Sequence, residues 1–204
     1  MKQLLFGAAI AAAALASPAV AQRTAPAVIV VVDSNRIFSE CTACRAASTQ
    51  LQALVQQGQT RAQQLGQPIQ TEAQAIQQAA EAASRQPAGP ARTASEATLR
   101  QRAQALEGRQ GAAQQELSRL EQNLQSTRAN VSQQINNRLN PIYTQVMTAH
   151  GANLLLDTDA TLAHAPAVDV TNEVLTALNA ALPSVSVTPL PAGAAPTQPQ
   201  PQGR

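Results

Sequence analysis

From Ile37 onward, apolar and small residues recur in alternating steps of four and three: Ile37, Cys41, Cys44, Ser48, Leu51, Val55, Gly58, Ala62, Leu65, Ile69, Glu72 and Ile76. That rhythm predicts a helix with one face packed along a partner helix. A second run, Leu99, Ala103, Leu106, Gln110, Ala113, Leu117, Leu120, Leu124, Thr127 and Val131, keeps the same rhythm. It then drifts by one residue to Ile135, Leu139, Ile142 and Val146. Between the runs, Gln86-Pro87-Ala88-Gly89-Pro90 breaks any helix. The runs are therefore expected to form the two arms of an antiparallel hairpin over residues 37–149, with its tip near 86–91. Facing positions should then have numbers that sum to a constant. A sum of 182 pairs Leu51 with Val131, Leu65 with Leu117 and Ile76 with Leu106. It also sets Gly58 against Leu124 and Ala62 against Leu120, and puts the turn at residue 91.

The ends of the chain follow other patterns. Val28 to Val32 is a continuous β-branched run, expected as a strand buried on both faces, and Asp33-Ser34-Asn35 offers oxygens to cap the first arm. Pro68 and Pro141 lie inside the arms, where a missing N–H predicts a kink or short break. The second arm is expected to start near Thr93 to Glu96, capped by Thr93 or Ser95, and to stop at Gly151. Beyond it come a second strand, Asn153 to Asp157, a brief third around Thr161 to Ala165, and a helix, Asn172 to Leu182. That helix has Val174, Leu175, Leu178 and Leu182 on its apolar face. The fold class is thus α+β: residues 27–36 and 150–182 form a small β-rich body, and 183–204 a Pro-rich tail expected to be disordered. A body of that size buries little core, and one short helix cannot cover both faces of its strands. It is expected to close with copies of itself, with Val30, Val32, Leu154, Leu156 and Val170 at the oligomerisation surface.

Composition narrows the functional classes. Met1 to Ala21 has one Lys, an apolar stretch and Ala19-Val20-Ala21, the pattern of a secretory signal peptide, so the mature chain is expected outside the cytoplasm. Without Lys2 the chain carries 13 arginines against 12 acids. A balance so near neutral, with two Phe, one Tyr and no Trp to stack bases, argues against nucleic acid as a partner. A local bias toward basic residues remains at the hairpin tip, where Arg85, Arg92, Arg100 and Arg102 are either a solvated helix end or a contact for acidic clients or a membrane surface.

Several segments together resemble the Skp or OmpH family of periplasmic chaperones. They are Val30-Val31-Val32-Asp33 with Arg36-Ile37-Phe38, the long hairpin, and Gly151 followed by Leu154-Leu155-Leu156-Asp157. Val168-Asp169-Val170-Thr171 with Val174-Leu175 and Leu178-Asn179 completes the set. The resemblance implies a jellyfish-shaped homotrimer, a small body with helical tentacles around a cavity, located in the periplasm. It also implies holding of unfolded outer-membrane β-barrel proteins without ATP or other cofactor. The arms depart from the family in having glutamine, alanine and scattered arginine in place of lysine-rich tentacles.

Candidate chemistry is sparse, and no enzyme is expected. Cys41-Thr42-Ala43-Cys44 has the spacing of a redox pair, but no thioredoxin-like βαβ pattern surrounds it. It reads as two small buried hydrophobes or as a structural disulfide across one helical turn. A metal site is not expected, because His150 and His164 lie far along the chain from both cysteines. Asp33, Asp157 and Asp169 stand at strand ends, and helix capping explains Asp33 and Asp169. Two rivals to the holdase remain: a structural coiled-coil adaptor of the cell envelope, which would normally be flanked by lipoyl-like domains, and a thiol oxidoreductase, which would need both cysteines.

Overall fold

The computed structural model describes residues 26–190; residues 1–21, expected as a signal peptide, and residues 191–204 of the tail lie outside them. The order of elements is β1 (Ile29–Val32), α1 (Ser34–Glu40), α2 (Thr42–Ser84), α3 (Pro90–Ala149), β2 (Leu154–Asp157), two 3₁₀ turns (Thr158–Ala160 and Pro166–Val168) and α4 (Thr171–Ala181). The chain is mostly helical, and α2 and α3 form the long hairpin. At about 1.5 Å per residue, α3 with its 60 residues is a rod roughly 90 Å long.

The seam inferred from the heptads is the face the helices bury. On α2, every named position from Cys41 to Ile76 except Ser48 is at least partly buried. On α3 the exceptions are Ala103 and Gln110. From Val131 through Ile135 and Leu139 the buried positions step by four twice, a local unwinding of the heptad where α3 passes from the arm into the body. The register is less uniform than one sum implies. Cross-arm ion pairs join Arg61 to Glu116 and Arg102 to Glu72, positions summing to 177 and 174. The connecting loop is residues 85–89, so the turn is centred nearer Pro87 than residue 91.

Both helices run through Pro68 and Pro141, so of the kink or short break expected at each, no break forms. Each proline removes one backbone hydrogen bond, and the seam on either side holds the helix together. α3 also starts earlier than expected. Pro90 is its first residue, suited there because a first-turn N–H has no intrahelical acceptor. Thr93 and Ser95 are not caps; their hydroxyls donate back to the Gly89 and Ala91 carbonyls.

At its other end α3 closes with a Schellman turn. Gly151 has φ +61°, its N–H donates to Thr148 O, and the Ala152 N–H reaches back to Met147 O at 2.8 Å. The turn delivers the chain to β2, which pairs parallel with β1 in the register Ile29 to Leu154 through Val32 to Asp157. No third strand forms at Thr161 to Ala165. The free side of β1 is instead taken at one bridge by Asp169, with Val170 N–H donating to Val31 O at 2.9 Å. Within one chain that leaves β2 as an edge.

The core shows that the body is more helical, and larger, than 27–36 plus 150–182. Val30, Val32, Val170, Val174 and Leu178 pack with Cys41 to Ala47 of α2 and with Val131 to Val146 of α3. Two four-residue strands have too little surface to enclose a core, so the bases of both arms cover them. The tail also departs from expectation over residues 183–190, which lie along α3. Val185 and Val187 pack against the core, and polar side chains of α3 hold the backbone between them.

Candidate functional site

The body end is fixed by a small polar network. Asp33 caps α1 by accepting the Arg36 N–H at 2.8 Å. The Thr171 hydroxyl is fully buried; it accepts the Asp33 N–H at 2.9 Å and donates to the Asp169 carboxylate. Asp169 also accepts the Thr171 N–H, and these two bonds, the hydroxyl first, hold its carboxyl below the ordinary value of 3.8. Asp157 is lowered in the same way, first by the Ser34 hydroxyl and then by the Asp159 N–H. All three carboxylates are thus committed to caps and turns at strand ends.

Cys41 and Cys44 are joined by a disulfide at the junction of α1 and α2. Both sulfurs lie in the core, Cys41 0% exposed and Cys44 6%. Thiol–disulfide exchange requires a thiolate to reach a sulfur, and these offer almost no face to one. Asn179 of α4 caps the same junction by accepting the Thr42 N–H at 2.8 Å, a contact that sequence spacing alone does not reveal because 137 residues separate the two. The histidines stand in the body apart from one another in partnership: His150 contacts Glu173 at 2.9 Å, and His164 lies 3.7 Å from Asp169. Among the described residues no three His, Cys, Asp or Glu converge as a metal site would require.

The four tip arginines do not form one free basic surface. Arg102 is drawn across the seam to Glu72 at 2.9 Å, and Arg92 pairs with Glu96 one turn along its own helix. Of these four, Arg85 and Arg100 make no ion pair among the described residues. The hydrogen bond from Arg102 lowers the Glu72 carboxyl from 4.5, and that from Arg61 does the same for Glu116. The seam position of Glu72 was legible in the heptads, but its partner is Arg102 rather than the facing Gln110.

Two surfaces remain unfilled. Between the arms near the body lies an open groove of about 380 Å³, lined by Ala47, Leu51, Gln52, Val55, Arg128 and Val131 among others. Leu54 is exposed on the same stretch of α2. At the body, Val30, Val32 and Val170 are buried, Leu156 is half-buried, and Leu154 is 40% exposed. Val28, Ile29, Phe38 and Leu162 are also exposed, the last fully so. Among the described residues no helix is long and apolar enough to cross a membrane.

A two-armed helical hairpin standing on a small body with one parallel strand pair defines the class of protein. The family model described as "Outer membrane protein (OmpH-like)" matches residues 28–178, most of the chain, and the chain belongs to that family. Among solved structures, it resembles a Caulobacter crescentus CB15 protein provisionally assigned as an outer membrane chaperone (OmpH-like). The two are 23% identical, the match covers 82% of this chain and 93% of that one, and the TM-score is 0.54, which establishes a shared fold. No curated protein matches the chain at a significant level.

Proposed function

We propose that this protein is an ATP-independent holdase of the periplasm that binds unfolded outer-membrane β-barrel proteins and keeps them from aggregating. The observation that carries the reading is the hairpin itself. It spans α2 and α3, it packs mainly on its own partner arm, and it belongs to a chain of the OmpH-like family. A lone pair of helices buries one face and leaves the others to solvent. Here those faces are alanine and glutamine with few large apolar groups, Leu54 being the large hydrophobic residue exposed on the arms. Many weak contacts of that kind can shield an unfolded chain without trapping it, and the client leaves when membrane insertion is more favourable.

The body supports an assembly of copies. β2 has an unpaired edge, Ile29 and Leu154 of the strand pair are exposed in a single chain, and Leu162 further along is fully exposed. Such an edge and apolar rim are stable in water when another chain covers them. A homotrimer would set three hairpins around a common space. Export follows from the N-terminal segment, and Arg85 and Arg100 are the tip residues available for a membrane surface or an acidic client. The disulfide is a crosslink that fixes the α1–α2 junction rather than a reaction centre.

The test is light scattering of a urea-denatured outer-membrane barrel diluted into buffer with no nucleotide. Scattering suppressed at stoichiometric amounts of the mature protein is expected, and equally so for Cys41→Ser/Cys44→Ser at a temperature where that variant is folded. Unsuppressed scattering would reject the holdase. Suppression that vanished with the folded double variant would favour thiol chemistry.

A further inference from the structure

Residues 185–190 lie on the base of α3, where Val185 and Val187 pack against the core and the rest of the contact is polar. Three α3 side chains spaced one helical turn apart, Ser126, Asn130 and Gln134, contact the main chain of this segment rather than its side chains. The Gln134 carboxamide accepts the Ser186 N–H at 2.9 Å and donates to the Ser186 carbonyl at 3.0 Å. The Asn130 amide donates to Thr188 O at 2.9 Å, and the Ser126 hydroxyl accepts the Leu190 N–H at 2.9 Å. Ser186 presents both its N–H and its C=O to α3, Thr188 its C=O where the chain bends, and Leu190 its N–H, so every second residue offers a main-chain group to the helix. Pro189, which has no N–H, falls on the other phase, where none is required. Val185 and Val187 insert on the core side, and the side chains of Ser186 and Thr188 stay in water.

We propose that the stripe Ser126–Asn130–Gln134 is a binding site for an extended polypeptide with small apolar residues at alternate positions, and that the chain's own residues 185–190 occupy it as a competitive latch. This rests on the reading of the protein as a holder of unfolded chains. Outer-membrane strands alternate apolar and polar residues, so an unfolded barrel supplies the same pattern as the tail. Because the helix reads main-chain groups, the site tolerates sequence variation, as strand addition to a sheet edge does. An intramolecular occupant reduces apparent client affinity by the fraction of time the site is free. The latch therefore sets a threshold: low-affinity encounters are refused and a long alternating segment displaces it.

Two measurements on the full mature chain test this. In the first, the tail is unseated without touching the site by Val185→Asp/Val187→Asp, and binding of a fluorescent peptide of residues 183–190 is followed by anisotropy. The peptide is expected to bind this variant roughly tenfold more tightly than it binds the wild type, and the gain should disappear when Asn130→Ala and Gln134→Ala are added. Equal binding to wild type and variant, or a gain indifferent to Asn130 and Gln134, would overturn the proposal. The second follows hydrogen exchange of the Ser186 and Leu190 amides in the wild type as unfolded barrel is added. Faster exchange is expected, and unchanged or slower exchange would overturn the latch. If the barrel does not bind at all, the holdase reading fails while the peptide result still decides the site.

Discussion

Thr171 is the residue on which the body end depends most, since one hydroxyl serves Asp33 and Asp169 at once and has no access to water. Thr171→Val keeps the shape and leaves the Asp33 N–H without its acceptor. It should cost about 1–3 kcal/mol, read from urea denaturation by circular dichroism. Gly151 gives a cleaner case. A Cβ there would meet no atom within 4 Å, so Gly151→Ala tests the left-handed backbone alone and should cost about 1–2 kcal/mol. Gly151 as a helix stop could be read from the sequence, because φ > 0 has a residue signature. The partners of Thr171 could not be, because a buried hydroxyl finds its donors through tertiary contacts 138 residues apart.

At the scale of elements, the arms combine an apolar seam with ion pairs across it. Glu72 and Glu116 have carboxyls lowered from 4.5 in the folded chain. A depressed carboxyl stabilises the fold above its unfolded value, and that contribution is lost as pH falls through the folded value. The hairpin should therefore lose stability from about pH 4.5 downward, and Glu72→Gln/Glu116→Gln should show a shallower decline in urea midpoint over that range. Pro68 tests the helix itself. Pro68→Ala restores one hydrogen bond in a helix that is already continuous, so amide exchange around residues 64–72 should slow severalfold. The arms were legible because a heptad writes its own period, and Leu51, Val55, Val131 and Ile135 announce the seam wherever the turn lies. No break forms at the prolines, because sequence shows the missing N–H but not the flanking seam that carries the helix through it. The strand expected at Thr161 to Ala165 does not form: Asp169 takes the open side of β1 at one bridge, and the segment makes no pairing with the free edge of β2.

For the whole molecule, the sequence led to the expectation of a small body closing with copies of itself but hid how far the arm bases complete it. It also hid the docking of residues 183–190, since a stretch rich in proline and small residues carries no periodic signal and is held by side chains on another element. A single chain leaves uncovered the edge of β2 with Leu154 and the open groove by Leu51 and Val55. Leu154→Glu, placed at that edge, should shift the protein from assembly to single chains and weaken client holding with it, as read by light-scattering mass.

Sedimentation of the mature protein mixed with a urea-diluted outer-membrane barrel is the most direct measurement. The barrel is expected to travel in a soluble complex with an assembly of several chains, with no nucleotide present. A single chain sedimenting alone while the barrel pellets would contradict the holdase reading.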